Sequence, residues 1–116
     1  MSTMIPTYTV EPIVSIPQSD NTEAMCVRWN SDDSFIAVAC GDGTARIYSP
    51  QSGSMVKLLN CRRSPEYLPV TALRWKPTTT GTKTKNVILT VTAEGVIMQW
   101  HATSGKTLFN HIEDDN

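Results

Sequence analysis

The sequence predicts an all-β protein built from two four-stranded antiparallel units, and three observations carry that prediction. The chain repeats itself: MCVRWN (25–30) lies over TALRWK (71–76), and FIAVACGDGTARIY (35–48) lies over VILTVTAEGVIMQW (87–100). Within each copy, apolar residues either alternate with polar ones or dominate a short stretch with little alternation, as strands do and helices do not. Between the runs stand matched turn signals, Asp42-Gly43 with Glu94-Gly95 and Ser52-Gly53 with Ser104-Gly105. Glycine supplies the positive φ that such turns require.

The elements follow in order. Residues 1–23 form an N-terminal segment in which YTVEPIVSI (8–16) reads as one further strand. The first unit covers 24–60, with strands at 25–29, 35–40, 44–48 and 55–59. A connecting loop, 61–70, leads to the second unit, 71–112, with strands at 71–75, 87–92, 96–100 and 107–112. An acidic tail, 113–116, ends the sequence. Trp29 and Trp75 lie 46 positions apart, whereas Gly43 and Gly95 lie 52 apart, so the second copy carries a six-residue insertion in TTTGTKTKN (78–86). The second strand of each copy, FIAVAC or VILTVT, has little alternation, and both of its faces are expected to be covered.

The full sequence of 116 residues is the size of one domain with a modest core. A net charge of −1 with 18% charged residues gives no broad field for nucleic acid or an anionic membrane. No secretory signal opens the chain, and its longest apolar run, 35–40, is far too short to span a bilayer. The reading is a soluble intracellular, cytoplasmic protein, with a cytoskeletal or ciliary assembly and the nucleus left open. Cys26, Cys40 and Cys61 are odd in number and lack Cys-x-x-Cys spacing, so they read as reduced thiols. Cys26 and Cys40 are expected to pack as small hydrophobes, and Cys61, beside Arg62 and Arg63, to carry a lowered thiol pKa if it is exposed.

These repeats resemble WD40 repeats, four-stranded units of about 40–45 residues with a turn glycine before a strand that ends in an aromatic. The residues that carry the resemblance are Asp42, Gly43, Arg46 and Tyr48 in the first unit and Glu94, Gly95 and Trp100 in the second. The resemblance spans about 24–113 and implies blades of a β-propeller, with the first strand of each blade innermost, so that 26–29 and 72–75 line or back a channel. Both copies depart from the family pattern. Neither has the Gly-His pair, and Tyr48-Ser49 and Trp100-His101 stand where Trp-Asp is usual, so the family's buried Asp-His-Ser-Trp network does not form in its usual way. Propellers close with four to eight blades. Two blades make an incomplete propeller, and an uncovered sheet face is expected at each end.

No chemistry emerges from the sequence. His101 and His111 have no partners at metal-ligand spacing, and there is no nucleophile elbow or phosphate-binding glycine loop. Accordingly no catalytic, cofactor-binding or metal-binding residue is expected, and the protein does not read as an enzyme. Residues for partner binding are expected in NCRRSPEYLP (60–69), where Arg62, Arg63 and Tyr67 are of types that recur in interface hot spots. Arg28 and Arg74, at matched positions of the two first strands, either project into a channel or pair with a carboxylate. Asp42, Gly43, Glu94, Gly95, Gly53 and Gly105 are expected to be structural turn residues. The function that follows is a noncatalytic scaffold segment for protein–protein interaction and complex assembly, bound by other proteins or further blades and by no membrane. The second reading is a nucleic-acid- or chromatin-associated propeller segment using Arg62, Arg63, Lys83 and Lys85.

Overall fold

Alternation along the chain becomes two antiparallel meanders in the computed structural model, which describes residues 15–17, 22–63, 67–77 and 85–112. Their strands are β1 (Ala24–Trp29), β2 (Ile36–Cys40), β3 (Thr44–Tyr48) and β4 (Met55–Asn60), then β5 (Val70–Trp75), β6 (Val87–Thr92), β7 (Val96–His101) and β8 (Lys106–Ile112). Each sheet keeps sequence order, β1-β2-β3-β4 and β5-β6-β7-β8. All eight strands read for the two units are present, displaced by no more than one residue at an end. The strand expected at 8–16 lies outside the described residues except at its last two positions, and so do the tail and most of the 78–86 insertion. There is no helix among the described residues, hence none long and apolar enough to cross a membrane.

The repetition extends to irregularities. Both first strands bulge at the same place, Ala24/Cys26 and Val70/Ala72, and both third strands shift register against the fourth, at Ile47/Tyr48 and Gln99/Trp100. Bulges increase local twist. Twin bulges therefore give the two sheets the same shape, which lets one stack on the next.

One core joins the sheets. From the first blade come Ala37, Ala39, Ala45, Ile47, Leu59 and Cys61; from the second come Val70, Leu73, Ile88, Trp100 and Ala102. Small alanines on one face admit bulky side chains from the other, so the interface is filled by residues of unequal size. The inner strands make most of this contact, β5 lying against β1 and β2. Trp75 Nε1 donates to the Arg28 carbonyl across the interface at 3.1 Å, and just beyond the ends of the same strands Asn30 Nδ2 donates to Asn86 Oδ1 at 3.1 Å.

The expectation of two uncovered end faces needs correcting for the first blade. Val38, Cys40 and Tyr48, on the face turned away from the second blade, form a small buried cluster against which Ile16 and Ile36 pack. The N-terminal segment is thus used as a cover at Ile16. Beyond that cluster, Val27 and Trp29 on β1 and Met55 and Leu58 on β4 remain exposed. On the second blade the outward residues Leu89, Val91 and Ile97 are only partly buried. The ring is open.

All four turn glycines have positive φ: Gly43 84°, Gly95 90°, Gly53 73° and Gly105 75°. At Gly43 a Cβ would also meet Arg62 Cγ at 2.8 Å and the Leu68 carbonyl oxygen at 3.2 Å. Replacing Gly43 or Gly95 with Val is therefore expected to cost about 2 kcal/mol or more. Chemical denaturation of the variants checks this, and an unchanged midpoint would contradict these turn conformations.

Candidate functional site

The end of the molecule where β2 turns into β3 carries most of the polar order. Asp42 opens that turn. Its carboxylate accepts from Thr44 N (3.1 Å), Thr44 Oγ1 (2.6 Å) and Arg46 Nη2 (2.7 Å), and Thr44 Oγ1 in turn accepts from Arg46 Nε at 3.2 Å. Arg46 is almost fully buried, and a buried guanidinium requires such a partner. Burial pushes the Asp42 carboxyl up, but the hydrogen bonds from Thr44 and Arg46, with the Arg46 charge, outweigh it and hold the group below its ordinary value.

The loop after β4 closes over this turn. Gly43 accepts from Cys61 N through its carbonyl at 3.0 Å, and Arg62 Nε donates to the Asp42 carbonyl at 2.6 Å. A second Arg62 nitrogen, Nη2, lies 3.5 Å from Asp42 Oδ2. The guanidinium also stacks on Tyr67, its carbon 4.3 Å from the ring centroid. Held on both sides, Arg62 is pre-organised, so a ligand that uses it incurs little ordering entropy. Thr22, Glu23, Gly41, Asp42, Arg62, Tyr67 and Pro69 line a shallow polar groove of about 550 Å³ here. The structure thus brings Arg62 and Tyr67 together with Asp42 and Gly43. It leaves Arg63 exposed and without a hydrogen bond or ion pair among the described residues.

Arg28 and Arg74 fall elsewhere, on the inner edges of the two sheets. Together with Trp29, Leu73 and Trp75 they line a second groove of about 370 Å³. Arg28 Nη1 donates to the Val27 carbonyl at 2.8 Å, and among the described residues neither arginine has a carboxylate partner. Glu94, matched to Asp42, has no counterpart of Arg46, because Met98 stands at that position; its Oε1 is buried without a hydrogen-bond partner among the described residues. The two turns therefore share a backbone but not a charge network. Lys85 is exposed, and Lys83 lies outside the described residues.

Sequence reasoning missed Thr90. Its hydroxyl is fully buried and accepts from Trp100 Nε1 at 3.0 Å and from Cys61 Sγ of the other blade at 3.4 Å. The signal was available: Trp100 closes a third strand, and a buried indole N–H needs an acceptor. Cys61 does not meet the condition set for a lowered thiol. It is buried, not exposed, and burial pushes its thiol up to about 11 despite the hydrogen bond with Thr90. The adjacent arginines do not lower it, because Arg62 is turned toward Asp42.

Among the described residues there is no group of three or more His, Cys, Asp or Glu able to hold a metal ion. No curated protein sequence matches the chain. The model of the anaphase-promoting complex subunit 4 WD40 domain matches residues 8–78, more than half of it. The chain belongs to the WD40 family. Solved structures agree on the fold. A chain of the mitotic checkpoint complex aligns with TM-score 0.64 at 18% identity, over 84% of this chain and 26% of that one. The computationally designed Ika4 protein aligns with TM-score 0.67 at 16% identity, over 86% of this chain and 53% of that one. The RRP9 WD40 repeats align with TM-score 0.65 at 18% identity, over 83% and 28%. This WD40 chain thus spans from about a quarter to about half the length of these structures. WD40 propellers are in general protein-interaction scaffolds.

Two outcomes are expected from the blade-to-blade polar contact. Thr90→Val leaves the Trp100 indole N–H buried without an acceptor and should cost about 1–3 kcal/mol in denaturant unfolding. At pH 8 a thiol reagent should modify the partly buried Cys26 well before Cys40 or Cys61. The raised Cys61 value also sets a sign: the unfolded thiol ionises at lower pH than the folded one. The stability from keeping it protonated is present below the ordinary thiol range and is lost as pH rises toward about 11.

Proposed function

We propose that this WD40 chain is a noncatalytic scaffold segment that binds another protein through the loop end between its blades, as part of a larger complex. The observation that supports the reading is the Arg62–Tyr67 pair, an arginine and an aromatic of hot-spot type fixed by Asp42 beside a groove open to solvent. Membership in a family named for a subunit of the anaphase-promoting complex supports a place in a multiprotein assembly. The partners of the similar structures are their own and are not carried over. A cytoplasmic site of action belongs to the same proposal.

The nucleic-acid reading rests on one observation, that Arg28, Arg63 and Arg74 are without carboxylate partners among the described residues. A single experiment separates the two. Copurification of cellular proteins with the wild-type chain is compared with Tyr67→Ala and Arg63→Glu, and duplex DNA and RNA binding is titrated over salt. Loss of about tenfold in a recovered protein with unchanged thermal stability supports the protein interface. Equal recovery by all three chains, together with nucleic-acid affinity that falls steeply with log salt, would replace it with the phosphate-binding reading.

A further inference from the structure

At the ends of β1 and β5 farthest from the Asp42 turn, the inner edges of the two sheets carry the same pair of residues. Arg28 and Trp29 lie opposite Ala37 and Ile36, and Arg74 and Trp75 lie opposite the matching Leu89 and Ile88. Arg28, Trp29, Leu73, Arg74 and Trp75 line one groove of about 370 Å³. Leu73 is buried and Trp75 partly buried, so the groove has apolar walls, and both of its charged residues are cations.

The two guanidiniums have donors to offer. Arg28 Nη1 donates to the Val27 carbonyl at 2.8 Å, Arg74 makes no hydrogen bond or ion pair among the described residues, and neither side chain belongs to the core that joins the blades. A guanidinium presents a planar fork of N–H groups that matches a carboxylate, and an indole wall lowers the local dielectric and strengthens such a pairing. Arg and Trp are also residue types on which binding energy concentrates.

The groove does not depend on what flanks the two blades. Arg28 lies on the face of the first blade that the second blade covers, beside the buried Ala37, and is exposed all the same; Trp75, on the face turned to the first blade, stays partly exposed. Arg74 and Trp29 hold the corresponding places, so a further blade on either side would leave the guanidinium and part of the indole within reach of a ligand. Charge and shape then select the occupant. Carboxylates match Arg28 and Arg74, and an apolar side chain beside them matches Trp29, Leu73 and Trp75. A phosphate backbone fits less well, because a net charge of −1 provides no extended row of cations.

We infer that this groove binds an acidic peptide segment of a partner protein, Arg28 and Arg74 pairing with its Asp or Glu carboxylates while Trp29 and Trp75 pack on an apolar residue between them. The site goes beyond the loop-end one, since none of Asp42, Arg62 and Tyr67 lines it.

Calorimetric titration of the full chain with the blocked peptide acetyl-Glu-Leu-Glu-Leu-Glu-amide tests it, with the Lys-Leu counterpart and a duplex DNA as the comparison probes. The acidic peptide should bind saturably, at least about tenfold more tightly than its basic counterpart, and more weakly as salt rises. Arg28→Gln and Arg74→Gln should each weaken it about tenfold and together abolish it, with the thermal midpoint of unfolding unchanged. Tyr67→Ala should bind the peptide as the wild type does, so that failure here and failure of the loop-end site are told apart. Absence of saturable binding, equal affinity in both arginine variants, or loss of binding in Tyr67→Ala overturns the inference. Duplex DNA binding that the arginine substitutions remove, without binding of the acidic peptide, also overturns it and assigns the groove to phosphate.

Discussion

A four-stranded meander has two faces and can bury neither by itself, so the stacking of Leu73, Ile88 and Trp100 onto Ala37, Ala39 and Ala45 is the contact on which the rest of the molecule depends. Everything polar at the interface is arranged around that apolar contact. Thr90 satisfies the Trp100 indole and reaches Cys61 of the other sheet, and Trp75 uses a main-chain carbonyl of β1 as its acceptor. The apolar area supplies the driving force, while the hydrogen bonds set register, because a buried unpaired N–H would cost more than a paired one contributes.

The candidate site inherits its rigidity from the same stacking. Between β4 and β5, the described residues Arg62, Tyr67 and Leu68 lie against Gly43 of the β2–β3 turn. Gly43 is needed there twice over, for its positive φ and for the space that Arg62 and Leu68 occupy. Asp42 then joins the turn to this connection through both its carboxylate and its carbonyl. An arginine held in this way offers a fixed set of donors beside Tyr67, which is what distinguishes Arg62 from its exposed neighbour Arg63.

Much of the fold was legible because repetition is a long-range signal: two copies of the same apolar spacing and the same turn glycines locate eight strands without any knowledge of packing. The aromatic ends, Tyr48 and Trp100, and the turn residues Asp42 and Gly43 could be read in the same way. What escaped were relations between positions far apart in sequence. Nothing local to Cys61 says that it is covered by the next blade, so its sequence left open whether the two arginines that follow it could act on its thiol. Thr90 reads as an ordinary strand residue until Trp100 is placed across from it. The role of Ile16 was likewise hidden, since a short apolar stretch ahead of the first repeat does not announce which face it covers.

The contact between Trp75 and the Arg28 carbonyl carries an evolutionary implication. Its acceptor is main chain, and every residue type offers the same carbonyl, so the side chain at position 28 is uncoupled from the integrity of the joint. Substitutions along the inner edge can thus change its charge and recognition without loosening the blades. Positions 28 and 74 are places where copies of one architecture are free to diverge toward different ligands while the fold is inherited unaltered.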